Sequence, residues 1–471
     1  MDVEQLARIQ FAVTIAFHFF FPSISIGLGA LIVILETLRV RNVRGRGETY
    51  DRAATFWTRI FALTFAVGVA TGIVMEFQFG TNWAEYSTFV GDIFGAPLAA
   101  EGILAFFLES TFLGVLLFGR DRLGSRVRWF AALMVSLGTL LSAVWIIIAN
   151  SWMQTPAGFE IVDGRARLTD FFAVAFNDST IPRYLHTVAA ALTAGAFVAL
   201  GVSAWYVLRR RHLSVARAVL PVALLMAFLG AGGMFATGDM SARQVAVTQP
   251  AKFAGIMGIY STTAGAPLTI WALPPSQDPA AAPQGPELEV ARLLSFMTFG
   301  DWNAPVVGLE AFPAADWPPI ALSFLAYHNM VLLGSFMLLV MAFGAFYLWR
   351  GSVFRRPSWL KLAVLATPLP IIAIQLGWAT AEVGRQPWIV YGVMRTADGV
   401  SRAVPAEQVA LSLGLLVGVY TLLGGVWLFV VRRELGHGPA PAPEGTDEAT
   451  MDELPAPAPR MQPGQTAAQG G

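Results

Sequence analysis

The chain of 471 residues contains no cysteine. That excludes thiolate-held iron–sulfur clusters, covalent c-type haem attachment and structural disulfides. Charge is scarce too. Asp, Glu, Lys and Arg make up 13% of the residues, and 31 basic side chains balance 31 acidic ones. Without a basic surplus there is no electrostatic footprint for nucleic acid. Histidine is limited to His18, His186, His212, His328 and His437. That is too few for a copper–haem oxidase core, and the paired histidines of a bis-histidine cytochrome b are absent. His212 lies in an arginine-rich segment and His437 in the C-terminal tail, so both read as solvated. The N-terminal MDVEQLARIQ lacks a basic region and a cleavage site, so the first apolar run reads as retained and not as a signal peptide.

What the chain has instead is hydrocarbon. Hydrophobic residues make up 55% of it, and the mean hydropathy is +0.59. Apolar runs of about 20 residues, enough to cross ~30 Å of bilayer core, recur along its length. The pattern predicts an all-α integral membrane protein of nine transmembrane helices. They lie near 10–38, 55–79, 95–118, 129–150, 184–208, 218–238, 321–349, 361–382 and 408–431. The segments after the odd-numbered spans carry 19 of the 31 lysines and arginines, while 80–94 carries none. The positive-inside rule then predicts an N-terminus outside and a cytoplasmic C-terminus. Four regions follow: helices 1–6 over 1–238, an outer loop over 239–320, helices 7–9 over 321–434, and a Pro/Ala/Gly tail over 435–471 that reads as disordered. The outer loop, with a Pro/Ala-rich patch from Pro274 to Pro286, is long enough to predict a function of its own.

Ionisable side chains inside spans are costly and mark function. With the predicted topology His18, His186, Met330 and Glu382 all fall in the outer half of the bundle. His and Met are haem-iron ligands, and a His/Met pair raises the potential. His186 with Met330 suits a six-coordinate electron-transfer haem. His18 and Glu382 each suit an iron with an open position. The competing reading is ordinary packing, with histidines hydrogen-bonded between helices and methionine filling the core. Span 3 adds Glu101 and Glu109 in AAEGILAFFLES. Eight residues advance about 12 Å and turn about 80°, so both can face one side. Carboxylates in series suit a proton relay, and structural hydrogen bonds are the alternative. Glu76 in span 2 is a weaker candidate of the same kind. Arg385, just outside Glu382, suits an anionic partner or simple snorkelling to the interface.

Several strings resemble subunit I of the cytochrome bd-type quinol oxidases. They are RIQFAVTIAFHFFFP around His18, MEFQFGTNW, GDIFGAPLAAEGILAFFLES, SWMQTPAGFE, LHTVAAALTAGAFVALGVSAWY, QPAKFAG and GWATAEVGRQPW. They extend over residues 1 to about 431, all but the tail. The resemblance implies three haems near the outer face: a low-spin haem b, a high-spin haem b, and haem d or a further haem b. His186 and Met330 match the low-spin ligands, and His18 and Glu382 those of the two high-spin haems. Trp378 matches the tryptophan of the family's GW motif beside the haems, and Arg385 is placed for their propionates. Glu101 and Glu109 match the proton route. The outer loop matches a short quinol-binding loop, with Asp239 and Lys252 near quinol. Implied partners are a second membrane subunit, subunit II, with a small single-helix subunit, and quinol, O2 and the lipid of a bacterial cytoplasmic membrane. Two residues depart from the pattern. Met257 stands where the family usually has a glutamate, and methionine accepts no proton. His328 stands where better-known members have arginine, as in the cyanide-insensitive side branch. The implied activity is oxygen reduction to water by quinol, generating a membrane potential without pumping. The Met257 departure keeps open a haem protein for electron transfer or sensing, and a cofactor-free transporter is the bland alternative.

Overall fold

The computed structural model describes residues 1–119, 122–281 and 285–443. Arg120, part of the Pro/Ala-rich patch and the tail from residue 444 lie outside the described residues. Among the described residues nine helices are long and apolar enough to cross a membrane: α1 (Val3–Val40), α2 (Gly47–Thr81), α3 (Ala84–Phe118), α4 (Ser125–Gln154), α5 (Thr180–Arg209), α6 (Leu213–Thr248), α7 (Ile320–Trp349), α8 (Pro357–Val383) and α9 (Ala406–His437). Each outruns or matches its apolar run, because polar flanking residues continue the backbone ladder past the hydrocarbon. The largest extension is in α6, which continues to Thr248, so Asp239 lies on this helix, below the long connection that follows it.

The two ends of the bundle differ. Short arginine-bearing turns link α1 to α2, α3 to α4, α5 to α6 and α7 to α8. The longer connections follow α4, α6 and α8 and, among the described residues, hold four small antiparallel two-stranded sheets. Among them Phe159–Val162 pairs with Arg165–Leu168, and Leu268–Trp271 with Leu288–Val290. At the arginine-rich end Arg128 meets Asp51 at 2.6 Å and Arg39 contacts both Glu36 and Asp51. The end of α9 is tied down there as well. The Tyr206 hydroxyl donates to the Leu435 carbonyl at 2.7 Å, and Arg52 Nε donates to that of Ala440 at 2.7 Å. His212 is half-buried against Gly438 and the Tyr206 ring, so the expectation that it is solvated does not hold.

Helices α1 and α5 are the most buried, and α9 and α3 the least. Leu28, Leu31 and Leu35 of α1 pack with Trp57 and Phe61 of α2, Phe197 and Leu200 of α5, and Leu220 and Leu224 of α6. Aqueous hydrophobicity does not drive helices together in lipid, so close van der Waals packing of small residues must. Gly27 and Gly195 provide it. A Cβ on Gly27 would lie 2.5 Å from the Ala191 carbonyl oxygen and 2.7 Å from Gly195 N.

Two local irregularities fall beside candidate residues. Pro22 lies inside α1 and has no N–H to donate to the carbonyl four residues back, that of His18. Residues Glu101–Ala105 of α3 form a π-helical turn, a feature that often marks functional sites.

The glycine crossing yields a test. Gly195→Val should overpack α1 against α5 at a cost of about 1–3 kcal/mol, lowering the thermal midpoint of the purified protein. Gly232→Ala, where an added Cβ meets nothing within 4 Å, should not. Equal midpoints for both variants would show that the crossing is not a constraint.

Candidate functional site

One cavity of about 1060 Å³ opens between α1, α2, α3, α4 and α8. It matches or exceeds the roughly 300–1,000 Å³ of ordinary small-molecule sites. His18, Glu76, Glu101, Glu109, Trp378, Glu382 and Arg385 all line it. His186 and Met330 do not. They lie on α5 and α7, which with α6 and α8 close a ring of four helices, each packed against its two neighbours.

The two histidines are held by the same device. His18 Nδ1 is 3.0 Å from Thr71 Oγ1, and that hydroxyl donates back to the Val67 carbonyl at 2.9 Å. His186 Nδ1 is 3.1 Å from Thr237 Oγ1, which donates to the Gly233 carbonyl at 2.8 Å. Each threonine has spent its single proton, so it accepts from the imidazole. Nδ1 therefore carries the hydrogen, and Nε2 keeps a free lone pair for a metal. The residue after each threonine is glycine. A Cβ on Gly72 would lie 3.2 Å from the His18 Cε1, and one on Gly238 would lie 3.3 Å from that of His186. Met330 is seated in a similar way, since a Cβ on Gly377 would lie 3.1 Å from its sulfur. The Thr–Gly pairs 71–72 and 237–238 are a sequence signal that spacing arguments missed.

Glu382 is the hub of the opposite wall. Its Oε2 pairs with Arg385 at 2.6 Å, and its Oε1 accepts from Asn150 Nδ2 at 3.1 Å and Gln154 Nε2 at 3.3 Å. Arg183 lies 3.7 Å from Oε1, donates to Asn150 Oδ1 and sits 5.9 Å from the centre of the Trp378 ring. Trp378 in turn meets Phe19, the neighbour of His18, edge to face at 4.9 Å. Arg183, Asn150 and Gln154 were not anticipated. The one available signal was a lone arginine three residues before His186, at an end poor in positive charge.

Lys252 joins this cluster. It lies on the loop helix Pro250–Met257 and is buried, donating to Gln154 Oε1 and to the Ala381 carbonyl, both at 2.9 Å. Burial, together with Arg183 and Arg385, holds the Lys252 pKa well below the ordinary lysine range, with Glu382 pulling the other way. Asp239 belongs to a different network, a half-exposed pair with Arg243 at 2.7 Å. Met257 faces neither. It is buried in an apolar cluster with Phe253, Ile256, Leu294 and Val306. His328 stacks on Phe324, and its ring nitrogens meet the carbonyls of Phe324 at 2.9 Å and of Thr269 at 3.1 Å. It thus pins α7 to the loop hairpin.

On α3 the two carboxylates both face α4. Ser142 donates to Glu101 at 2.7 Å, and the Glu109 side chain lies against Gly138. Glu109 is buried and Glu101 half-buried.

The donor set fits haem on three counts. The imidazoles present unprotonated Nε2 atoms. Glycines leave room beside three of the four candidate ligands. Three basic side chains surround one carboxylate at Glu382, and Arg183 Nε and Arg385 Nη1 are buried without a hydrogen-bond partner among the described residues. That surplus of donors and positive charge suits propionates.

Comparison with known proteins points the same way. Residues 6–439 match the family described as cytochrome bd terminal oxidase subunit I. The chain is 37% identical to the cytochrome bd ubiquinol oxidase subunit 1 of Bacillus subtilis (strain 168), over 92% of this chain and 93% of that one. It is 35% identical to the cytochrome bd-II ubiquinol oxidase subunit 1 of Escherichia coli (strain K12), over 93% and 97%. The solved structure of bd oxidase from Geobacillus thermodenitrificans superposes with a TM-score of 0.85 at 30% identity, covering 93% of this chain and 99% of that one. The chain belongs to the cytochrome bd terminal oxidase subunit I family.

Proposed function

We propose that this chain is the haem-bearing catalytic subunit of a quinol:oxygen oxidoreductase in a bacterial cytoplasmic membrane. The observation that carries the reading is the shared cavity, which puts His18 and Glu382 together with Glu101 and Glu109. Family membership and the relatives' names support quinol as the substrate class. Two quinols and one dioxygen give two quinones and two waters. Haem, when bound, supplies one-electron transfer and oxygen activation.

The rest is the work of side chains. His186 and Met330 would hold a low-spin haem b, and His18 and Glu382 the two high-spin haems, the third haem being haem d or a further haem b. Thr71 and Thr237 fix the imidazole tautomers. Arg183 and Arg385 would neutralise propionates, and Trp378 walls the cavity between Arg183 and Phe19. Glu109 takes a proton on its carboxyl oxygen and passes it towards Glu101, whose Oε1 is oriented by the Ser142 hydroxyl. The outer loop, with Asp239 and Lys252 at its base, would form the quinol site. The arginine asymmetry supports an N-terminus outside and a C-terminus in the cytoplasm. Quinol protons are then released outside while consumed protons come from inside, which builds a potential without pumping. Exposed apolar side chains on α3 and α9, such as Phe107, Phe118, Leu415 and Leu422, suit contact with lipid, a second membrane subunit and a small single-helix subunit.

Three tests follow. His186→Ala and Met330→Leu should each remove the low-spin haem band from the reduced-minus-oxidised spectrum; an unchanged band would refute that ligand pair. Glu109→Gln should slow oxygen uptake by on the order of 10²-fold with haem content retained, and wild-type turnover would eliminate the relay role. Met257→Glu should bury a carboxyl in an apolar cluster at about 1–3 kcal/mol, raising protease sensitivity of the loop and lowering quinol oxidation, whereas Met257→Leu should be silent. A glutamate variant at least as active as wild type would show that Met257 lies at a polar quinol site.

A further inference from the structure

Four hydroxyl side chains lie on α1, and three of them are bound up with the helix itself. Thr14, Ser23 and Thr37 each donate to the carbonyl four residues back, at 2.8, 2.7 and 2.7 Å. Ser25 does not. It is 4% exposed, it lines the cavity, and its Oγ has no hydrogen-bond partner among the described residues. Ser151, Thr180 and Ser323 are also buried without a partner, but none of them lines the cavity. An unpaired buried hydroxyl is costly, so one kept at a cavity wall points to a use there.

The depth of Ser25 follows from the contact between α1 and α4, which run in opposite directions. A Cβ on Gly29 would lie 3.6 Å from Ser136, and about one turn further out Ile26 packs with Leu140 and Ala143. Ser25, four residues before Gly29, is therefore level with Leu140. The Glu109 side chain lies against Gly138, and Glu101 accepts from Ser142. Ser25 thus falls between the two carboxylates in depth and faces the same cavity. Those carboxylates stand about 12 Å apart along α3, whereas a proton passes between oxygens roughly 2.5–3.0 Å apart. The hydroxyls on α4 cannot bridge the gap alone. Thr139 has spent its proton on the Ser136 carbonyl at 2.8 Å, and Ser142 has spent its own on Glu101 at 2.7 Å. Both can only accept. Ser25 is free to accept and to donate.

We propose that Ser25 is the hydroxyl that relays protons from Glu109 to Glu101. A proton released by Glu109, directly or through cavity water, adds to Ser25 Oγ while the proton already there leaves towards Glu101. The serine ends as it began, with no charge and no change of oxidation state. Thr139 and Ser142, as acceptors, orient water on the α4 side. The inference rests on the reading of Glu109 and Glu101 as the proton route.

The test uses the purified complex with all its subunits. Ser25→Ala keeps a small side chain in the helix contact and removes the hydroxyl. Oxygen uptake at saturating quinol should fall by on the order of tenfold, less than in Glu109→Gln because water partly replaces a hydroxyl. The haem spectrum and the KM for quinol should stay those of the wild type, and D2O should slow the variant more than it slows the wild type. Ser25→Thr restores the hydroxyl and should recover most of the rate. Should Ser25→Ala lose haem, Ser25→Cys, similar in size and only a weak donor, carries the same test. Wild-type turnover and isotope effect in Ser25→Ala, beside a slow Glu109→Gln, would overturn the relay and leave the carboxylate route standing. A rate that Ser25→Thr does not recover would also overturn it and make Ser25 a packing residue. Wild-type turnover in Glu109→Gln would remove the route itself, and the relay with it.

Discussion

A carboxylate surrounded by three basic side chains inside an apolar bundle is the constraint on which the rest of this structure depends. Glu382 draws in Arg183 from α5, Arg385 from the turn after α8, and Lys252 from the loop helix, with Asn150 and Gln154 of α4 filling in the remaining acceptor positions. An unpaired charge here would cost several kcal/mol, so the ends of α4, α5 and α8 cannot separate without exposing one. The cluster sets the geometry of one wall of the cavity, and Trp378 transmits that placement to Phe19 beside His18. Its surplus of positive charge is itself information, because it calls for anionic groups that the described residues do not supply there.

The opposite principle operates at the histidines, where neutrality is engineered. A threonine that has already donated its proton to the backbone can only accept, so it forces each imidazole into one tautomer with Nε2 free. The glycine beside it leaves the ring edge unobstructed. The same Thr–Gly solution on α2 and α6 places two metal-competent nitrogens without spending any charge. A polar group in this bundle is thus either paired in a network or committed to a single direction.

Much of this was legible in the sequence. The nine spans, the side on which the long connections lie, and the polar residues inside the spans follow from hydropathy and charge alone. His18, Glu101, Glu109, Trp378, Glu382 and Arg385 were all singled out, and all line one cavity. What spacing did not disclose is what depends on contacts between distant segments. Gln154, Arg183 and Lys252 lie on three separate elements, and their convergence on Glu382 has no local signature. The π-helical turn at Glu101 breaks the 3.6-residue rule used to relate the two glutamates. His212 looked solvated because its neighbours are arginines, yet the end of α9 covers it. Met257 read as a missing acid, but its surroundings are apolar.

The central claim is that this cavity and its neighbouring helix ring carry electrons from quinol to oxygen. The most direct measurement is an anaerobic visible spectrum of the purified complex reduced with a quinol, followed by admission of oxygen. The account predicts rapid reduction of the low-spin and high-spin bands and equally rapid reoxidation, with a chlorin band present if one haem is haem d. Haems that dithionite reduces but quinol leaves oxidised would contradict it.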